Sequence, residues 1–358
     1  KAAEQCFWKR CLQGNNPFLL RIRTRTRSDV TVTAGYRKLN LSNCVTYNVE
    51  VEVNIDGGRT LPTSYTSVSN CLVSQFDVIT SPANRQVLVA DNLTVDNFFN
   101  CDGFNARFNG CYFSTSSLIG ITDTSHASSV FFSDCEFRLN AGYTDAYWFN
   151  FGSLSTSPDV IEFDNCRFFN TQTLTNGVIY DRNAGTSYSN RLSVKNCWFN
   201  VSNANIFIQC NSKHIEIIGN TFIGLPTNAQ SAVIRNENTT VAFQYDITVV
   251  DNKCITAGQV LLYPCNTATT GVKYFLGENY VLDATKVYYT ASYTFTNVTF
   301  ASPMKLTVSA APTSGQTILG TLYMNQTPTA GGYIGTVVTT SGTIGSSAVL
   351  KTFGAITA

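Results

Sequence analysis

Charge is scarce in this chain: Asp, Glu, Lys and Arg make up 13% of 358 residues, and the net charge is +1. Uninterrupted hydrophobic runs are also missing. No window of about 18 apolar residues occurs, so no membrane-spanning helix is expected. No hydrophobic leader precedes Lys1, which reads as a fragment or a mature product. Histidine is limited to His126 and His214, too far apart for a paired-histidine metal motif. Twelve cysteines are present, yet none forms a CxxC pair, and the closest two, Cys6 and Cys11, lack zinc-knuckle spacing. Their density is also below that of a small disulfide scaffold. Nucleophile-elbow, P-loop and dinucleotide signatures are absent from usable contexts. No metal and no cofactor is therefore expected.

What is abundant is aromatic, β-branched, Asn, Ser and Thr, a composition that favours strands joined by polar turns. The length suits one elongated domain or two or three compact ones. Charge is unevenly placed: residues 1–60 hold ten Lys/Arg and five Asp/Glu, the remainder fourteen and eighteen. RIRTRTR (21–27) sets Arg21, Arg23, Arg25 and Arg27 at period two, on one face of any strand. Such a stripe can bind anions, or can be a solvated face or a contact with further chain. A charge run alone does not make nucleic acid an expected partner.

The dominant signal is a repeat. FNARFNGCYF (104–113), VFFSDCEF (130–137), IEFDNCRF (161–168), LSVKNCWF (192–199), IEIIGNTF (215–222), ITVVDNKC (247–254) and YFLGENYV (274–281) align without gaps. One column then holds Cys111, Cys135, Cys166, Cys197, Asn220, Asn252 and Asn279, spaced 24, 31, 31, 23, 32 and 27. LNLSNC (39–44) and SVSNC (67–71) extend it upstream, with VLVADNLT (87–94) as the intervening turn. A second phrase, GVIYDRN (177–183), NIFIQCN (205–211), VIRNEN (233–238) and LLYPCN (261–266), ends at Asn183, Asn211, Asn238 and Asn266. Each repeat thus has at least two short alternating strands separated by polar turns.

Helical repeats are excluded because no segment carries a 3.6-residue period, and propeller blades are too long. A parallel β-helix fits: equivalent residues of successive coils stack about 4.8 Å apart. Nine or ten coils would make a rod about 45 Å long. Stacked Asn amides at a turn can hydrogen-bond along the ladder, and Cys is a small buried substitute in the same slot. The column cysteines therefore read as packing residues. Stacked side chains that point the same way are poorly placed for bridging, which is consistent with folding in a reducing compartment.

With strands and turns placed, the chain resembles pectin-lyase-like right-handed β-helices, specifically those of bacteriophage tailspikes and tail fibres. Residues 311–358 resemble a short β module that ends many such proteins, through Pro312, Gly315, Gly320, Asn325, Pro328, Ala330, Gly331, Gly332, Gly335, Phe353, Gly354 and Ile356. Thr336 and Leu350 stand where that module usually carries Trp, which weakens any aromatic sugar platform there. The expected architecture is all-β: an N-terminal strand or cap region (1–38) with the Arg stripe, a right-handed parallel β-helix (39–300), and a small C-terminal β domain (301–358) for trimerisation or glycan binding. The resemblance implies a homotrimer in the phage virion, assembled in the bacterial cytoplasm. It would contact other tail or baseplate proteins, and bind and often cleave bacterial surface polysaccharide such as capsule or O-antigen. A depolymerase, a non-catalytic receptor-binding fibre and a structural virion rod remain open, because the fold does not choose among them.

A packed coil interior leaves chemistry to outward side chains and turns. In the second phrase Ile179, Phe207, Ile234 and Leu262 are expected inward. Their neighbours Tyr180 and Arg182, Ile208 and Cys210, Arg235 and Glu237, and Tyr263 and Cys265 are then expected outward. Tyr147 and Trp148 in TDAYWFN (144–150) join Tyr180, Arg182, Arg235 and Tyr263 as candidate sugar-binding residues, since rings stack on sugars and Arg pairs acidic groups. Hydrolysis needs two carboxylates about 5–5.5 Å apart for retention or 6.5–9.5 Å for inversion. The candidate catalytic set is Asp145, Asp181 and Glu237. Asp181 sits at a turn edge from which it could reach solvent, roughly 9–10 Å along the axis from Glu237. A lyase would instead use Arg182, Arg235 or Tyr180 as base. Glu136, Glu162 and Glu216 read as solvated exterior positions, and His214 as a solvated turn imidazole.

Overall fold

The computed structural model describes residues 19–22, 29–33, 38–43, 45–53, 64–80, 86–102, 104–115, 119–122, 129–140, 147–151, 159–172, 174–181, 190–202, 204–227, 232–236, 246–263, 272–282, 298–300, 305–308, 311, 313, 316–317 and 319–357. Among these residues every regular element is a strand. Twelve strands, from Leu19–Ile22 to Val298–Phe300, form one parallel sheet in which each pairs with its equivalents in the coils before and after. Strands just past the turn stack into a second parallel set, for example Glu136–Leu139, Arg167–Asn170 and Trp198–Val201. A third set runs through Tyr147–Asn150, Leu174–Asp181, Ala204–Cys210, Ala232–Asn236 and Val260–Tyr263. The chain is a parallel β-helix.

Alternation is what makes these segments strands. Val160–Asp164 places Ile161 and Phe163 inside and Val160, Glu162 and Asp164 toward the surface, and the equivalent strands repeat that pattern. Stacked Phe rings fill the interior. One file runs Phe108, Phe132, Phe163, with centroids 4.9 and 5.0 Å apart. Another runs Phe113, Phe137, Phe168, Phe199, Phe222 at 5.1, 5.0, 4.4 and 5.1 Å. The ring spacing follows the strand spacing, so each coil reads out the one below it.

The turn explains the opening repeat. The residue before every column position but the last is left-handed: Asn70, Asn92, Asp134, Asn165, Asn196 and Asp251 have φ of 51–57°, and Gly110 and Gly219 take the same place, whereas Glu278, before Asn279, is already in a strand. Asn and Asp tolerate that region at lower cost than other side chains. The next residue points inward, giving the column Cys71, Leu93, Cys111, Cys135, Cys166, Cys197, Asn220, Asn252 and Asn279, all buried. Leu93 confirms VLVADNLT as the intervening turn. Cys and Asn make equivalent bonds there. Cys197 Sγ donates to the Phe163 carbonyl at 3.6 Å, and Asn220 Nδ2 donates to the paired Val194 carbonyl at 2.9 Å. Asn Oδ1 takes the amide of the previous coil: Cys197 N–H to Asn220 at 2.8 Å, Asn220 N–H to Asn252 at 3.0 Å, and Asn252 N–H to Asn279 at 3.0 Å. Cys197 Sγ accepts the Cys166 amide in the same way at 3.4 Å. None of the seven cysteines whose side chains are described is in a disulfide, all seven are buried, and burial pushes the thiols of Cys135, Cys166 and Cys254 up. They are architectural.

Two boundaries differ from expectation. Leu19–Ile22 and Asp29–Thr33 already stack on Lys38–Ser42 and Val45–Val53, so the solenoid begins upstream of residue 39 and has more coils than the turn phrase marks. These early strands lack an Asn-Cys signature. Arg21 pairs with Asn40 in the first sheet, whereas Arg23, Arg25 and Arg27 lie outside the described residues. At the other end Lys305–Val308 pairs with Glu278–Val281 and then with Leu322–Asn325. Leu322–Asn325 runs antiparallel to Tyr333–Thr340, which runs antiparallel to Val349–Ala355. The small C-terminal sheet thus continues the second sheet of the rod.

Candidate functional site

The third set of strands carries most of the expected site. Pairing places Asn150, Tyr180, Gln209, Arg235 and Tyr263 in one row across five coils. The neighbouring row, Phe149, Ile179, Ile208, Ile234 and Leu262, is buried; in the first row Asn150, Tyr180 and Arg235 are partly exposed, whereas Gln209 and Tyr263 are buried. Tyr147 joins it: its ring centroid lies 3.9 Å from that of Tyr180, with the planes tilted by 33°. Further along, Arg235 Cζ stands 5.1 Å from the centroid of the Tyr263 ring. Tyr147, Tyr180 and Arg235 are half-buried, and Tyr263 is covered. The partly exposed members offer the Tyr147 and Tyr180 rings, the Asn150 amide and the Arg235 guanidinium, and Tyr263, expected as a sugar-binding residue, is withdrawn from that surface.

Several expectations need correction. Trp148 is fully buried, its ring 6.4 Å from that of Phe137 and 6.1 Å from that of Phe168, so it is a core residue unavailable to a ligand. Alternation fails there because two successive residues point inward, Trp148 and Phe149; the pairs Val178 and Ile179, Phe207 and Ile208, Val233 and Ile234, and Leu261 and Leu262 are buried in the same way. A strict period of two cannot anticipate a bend that buries neighbours. Ile208 and Cys210, expected outward, are inside: Ile208, not Phe207, is the partner of Ile179 and Ile234. The Asn ending of NIFIQCN is thus one residue out of register with the others. A register shift between Leu174 and Gly177 accompanies the misfit.

Asp181 also lies inside. It is 2% exposed, pairs with Cys210, and its carboxylate accepts a hydrogen bond from Ser212 Oγ. Burial, reinforced by this carboxylate, pushes the Cys210 thiol up. Its acid therefore faces the coil interior, not the row that a glycan could reach. Asp145, Arg182, Glu237 and Cys265 lie outside the described residues.

The acids set aside as exterior are indeed at the surface, but they are organised. Glu136 accepts Arg138 Nε at 2.7 Å. Glu216 accepts Arg191 Nη2 and Lys195 Nζ, both at 2.7 Å. Burial works to raise the Glu216 carboxyl, but the hydrogen bonds and charges of Lys195 and Arg191 outweigh it and hold it below its usual value. Glu162, Ser193 and Glu216 form one row of the first sheet, so the two glutamates stand two coils apart, about 10 Å between backbones. Only the pairing reveals this, since the two lie in different repeats. His214 opens its strand, exposed, with Nδ1 3.8 Å from Asp246 Oδ2.

A separate concavity lies in the C-terminal sheet. Ala311, Tyr323, Asn325, Tyr333, Gly335, Thr336 and Thr352 line an open cleft of about 180 Å³.

No protein-family model, no curated protein and no solved structure matches the chain.

Proposed function

We propose that this protein is a tailspike-type β-helix of a bacteriophage tail that binds bacterial surface polysaccharide along its rod. The partly exposed group of Tyr147, Asn150, Tyr180 and Arg235 carries this reading. A repeating polymer suits a repeating surface: rings take the apolar faces of sugars, amides take hydroxyls, and Arg pairs acidic groups. Assembly as a homotrimer is part of the proposal. It is supported by exposed apolar residues on or just beyond the strands past the turn, where Trp198 is 43% exposed and Leu225 and Ile255, which follow their strands, are similarly open. Partly buried Phe169 and Ile223 lie in the same set of strands. Partners would be other tail or baseplate proteins, and the site of action the virion.

Cleavage of the bound glycan is a second reading, favoured by the Glu162–Ser193–Glu216 row. The backbone separation of about 10 Å lies just beyond the roughly 6.5–9.5 Å that inverting carboxyl groups need, so the side chains would have to lean toward each other. The row sets the Glu162 carboxyl two coils from Glu216, which Arg191 and Lys195 hold in place. The test is to incubate purified protein with host capsule or O-antigen and measure both retention and released oligosaccharide. Tyr180→Ala and Arg235→Ala should each weaken retention about tenfold; unchanged retention in both would remove the rod surface from the proposal. Release lost in Glu162→Gln and Glu216→Gln supports cleavage. Retention without release leaves a binding fibre.

A further inference from the structure

Tyr180, Gln209 and Arg235 occupy one row in three successive coils. Tyr180 and Arg235 are partly exposed, whereas Gln209 between them is only 4% exposed. Two contacts fix the direction of the residues that follow. Cys210 pairs with the inward Asp181 and is fully buried, and Ser212 Oγ donates to the Asp181 carboxylate, so both face the coil interior. Successive side chains of an extended segment alternate, so Asn211 faces the same side as Gln209.

Asn211 is also 4% exposed, and its Oδ1 is buried with no hydrogen-bond partner among the described residues. An amide oxygen withdrawn from water and left unbonded costs about 1–3 kcal/mol. Such a group calls for a donor that bulk water does not supply. The oxygen lies on the side of the coil that carries Tyr180 and Arg235, in a recess between coils that is more covered than either of them.

We infer that Asn211 makes the rod surface selective for sugars carrying an acetamido substituent. The acetamido N–H donates to Asn211 Oδ1, and its carbonyl accepts from the Arg235 guanidinium one coil on, about 5 Å along the axis. The inference rests on the rod surface being the one that binds glycan. Its chemistry follows from what flanks the oxygen. A carboxylate would set an acceptor against an acceptor, and an ammonium would stand beside the guanidinium. An acetamido group is neutral, offers a donor and an acceptor on opposite sides, and extends past the sugar ring. It can therefore enter a recess too covered for the ring, which stays with Tyr147 and Tyr180 at the open surface.

The experiment is saturation-transfer NMR on the full chain, with N-acetylglucosamine, N-acetylgalactosamine, glucose, galactose and glucosamine as separate probes. At least one acetamido sugar should receive transfer, strongest at its acetyl methyl, and more than its hydroxyl and ammonium counterparts. Asn211→Leu, which removes the acceptor at similar size, should weaken that sugar about fivefold, the worth of one hydrogen bond. Asn211→Asp, which keeps an acceptor oxygen, should retain most of the binding, and unfolding midpoints identify any variant that has lost its fold. If Asn211→Leu does not fold, the comparison of acetamido with parent sugars on the unaltered chain decides. Equal transfer from acetamido and parent sugars, no transfer from any sugar, or unchanged binding in folded Asn211→Leu would overturn the inference. Polysaccharide retention that is lost in Tyr180→Ala but indifferent to Asn211→Leu keeps the rod reading and removes this one. Acetamido sugars that bind through Asn211 while no polysaccharide is retained do the reverse.

Discussion

Replacing Asn252 tests the ladder that holds the coils in register. Its Nδ2 donates to the Ile217 carbonyl at 2.8 Å, the Val250 carbonyl at 3.0 Å and Asn279 Oδ1 at 3.1 Å. Its Oδ1 accepts from the Asn220 amide and Nδ2, both at 3.0 Å. Asn252→Ala strands the Asn220 N–H in a fully buried turn, which costs about 1–3 kcal/mol. The bonds lost on the donor side add about 1 kcal/mol each at most, and the void adds further. A loss on the order of 3–5 kcal/mol is expected. Asn252→Cys should cost only about 1 kcal/mol, because Cys197 performs both tasks in its own coil: it donates to Phe163 O and accepts the Cys166 amide. Urea unfolding followed by tryptophan fluorescence distinguishes them, since buried Trp148 reports on coil packing. If Asn252→Cys and Asn252→Ala shift the midpoint equally, or if Asn252→Ala matches wild type, Cys and Asn are not interchangeable ladder members and the account of the repeat fails.

Other outcomes follow from the same physics. Burial raises the thiols of Cys135, Cys166 and Cys254 above 9.0. Iodoacetamide at pH 9 should therefore leave these positions unlabelled by mass spectrometry until the chain is unfolded. Because the unfolded thiols ionise first, stability should fall as pH rises past 9, whereas a rise would contradict the assignment. Gly224 has φ of 102°, and a Cβ there would lie 1.7 Å from the Val201 carbonyl oxygen, so Gly224→Ala should cost on the order of 3 kcal/mol in thermal unfolding. Glu216→Gln removes a surface pair with Arg191 and Lys195 that is about one-third exposed, and should change stability by less than about 1 kcal/mol. The Glu216 carboxyl is held low by these partners, so its small contribution is present above pH 4.5 and fades as pH falls through the folded value. Loss of the fold in Glu216→Gln would show that the pair is structural.

The turn ladder was legible because its chemistry is local. A left-handed Asn, Asp or Gly followed by a small or amide side chain recurs in most of the described coils, so Cys111, Cys166, Asn220 and Asn252 return at coil spacing whatever lies between them. The alternating strands and their Phe files were readable for the same reason. The coil at Leu19–Ile22 was not, since it stacks without the phrase.

The exterior was decided by tertiary structure. Whether Ile208 points in or out depends on how Ala204–Cys210 registers against Leu174–Asp181 past an irregularity near Gly177, and no property of NIFIQCN alone encodes that. Trp148 and Asp181 look like site residues because Trp and Asp in a turn-rich stretch commonly reach solvent. The packed interior claims both, one by ring contacts and one through Ser212. Glu162 and Glu216 become neighbours only when the intervening coil is laid between them. Composition and period determine that the chain winds into a rod. Which side chains the rod presents is set by register, because a one-residue slip reverses every face.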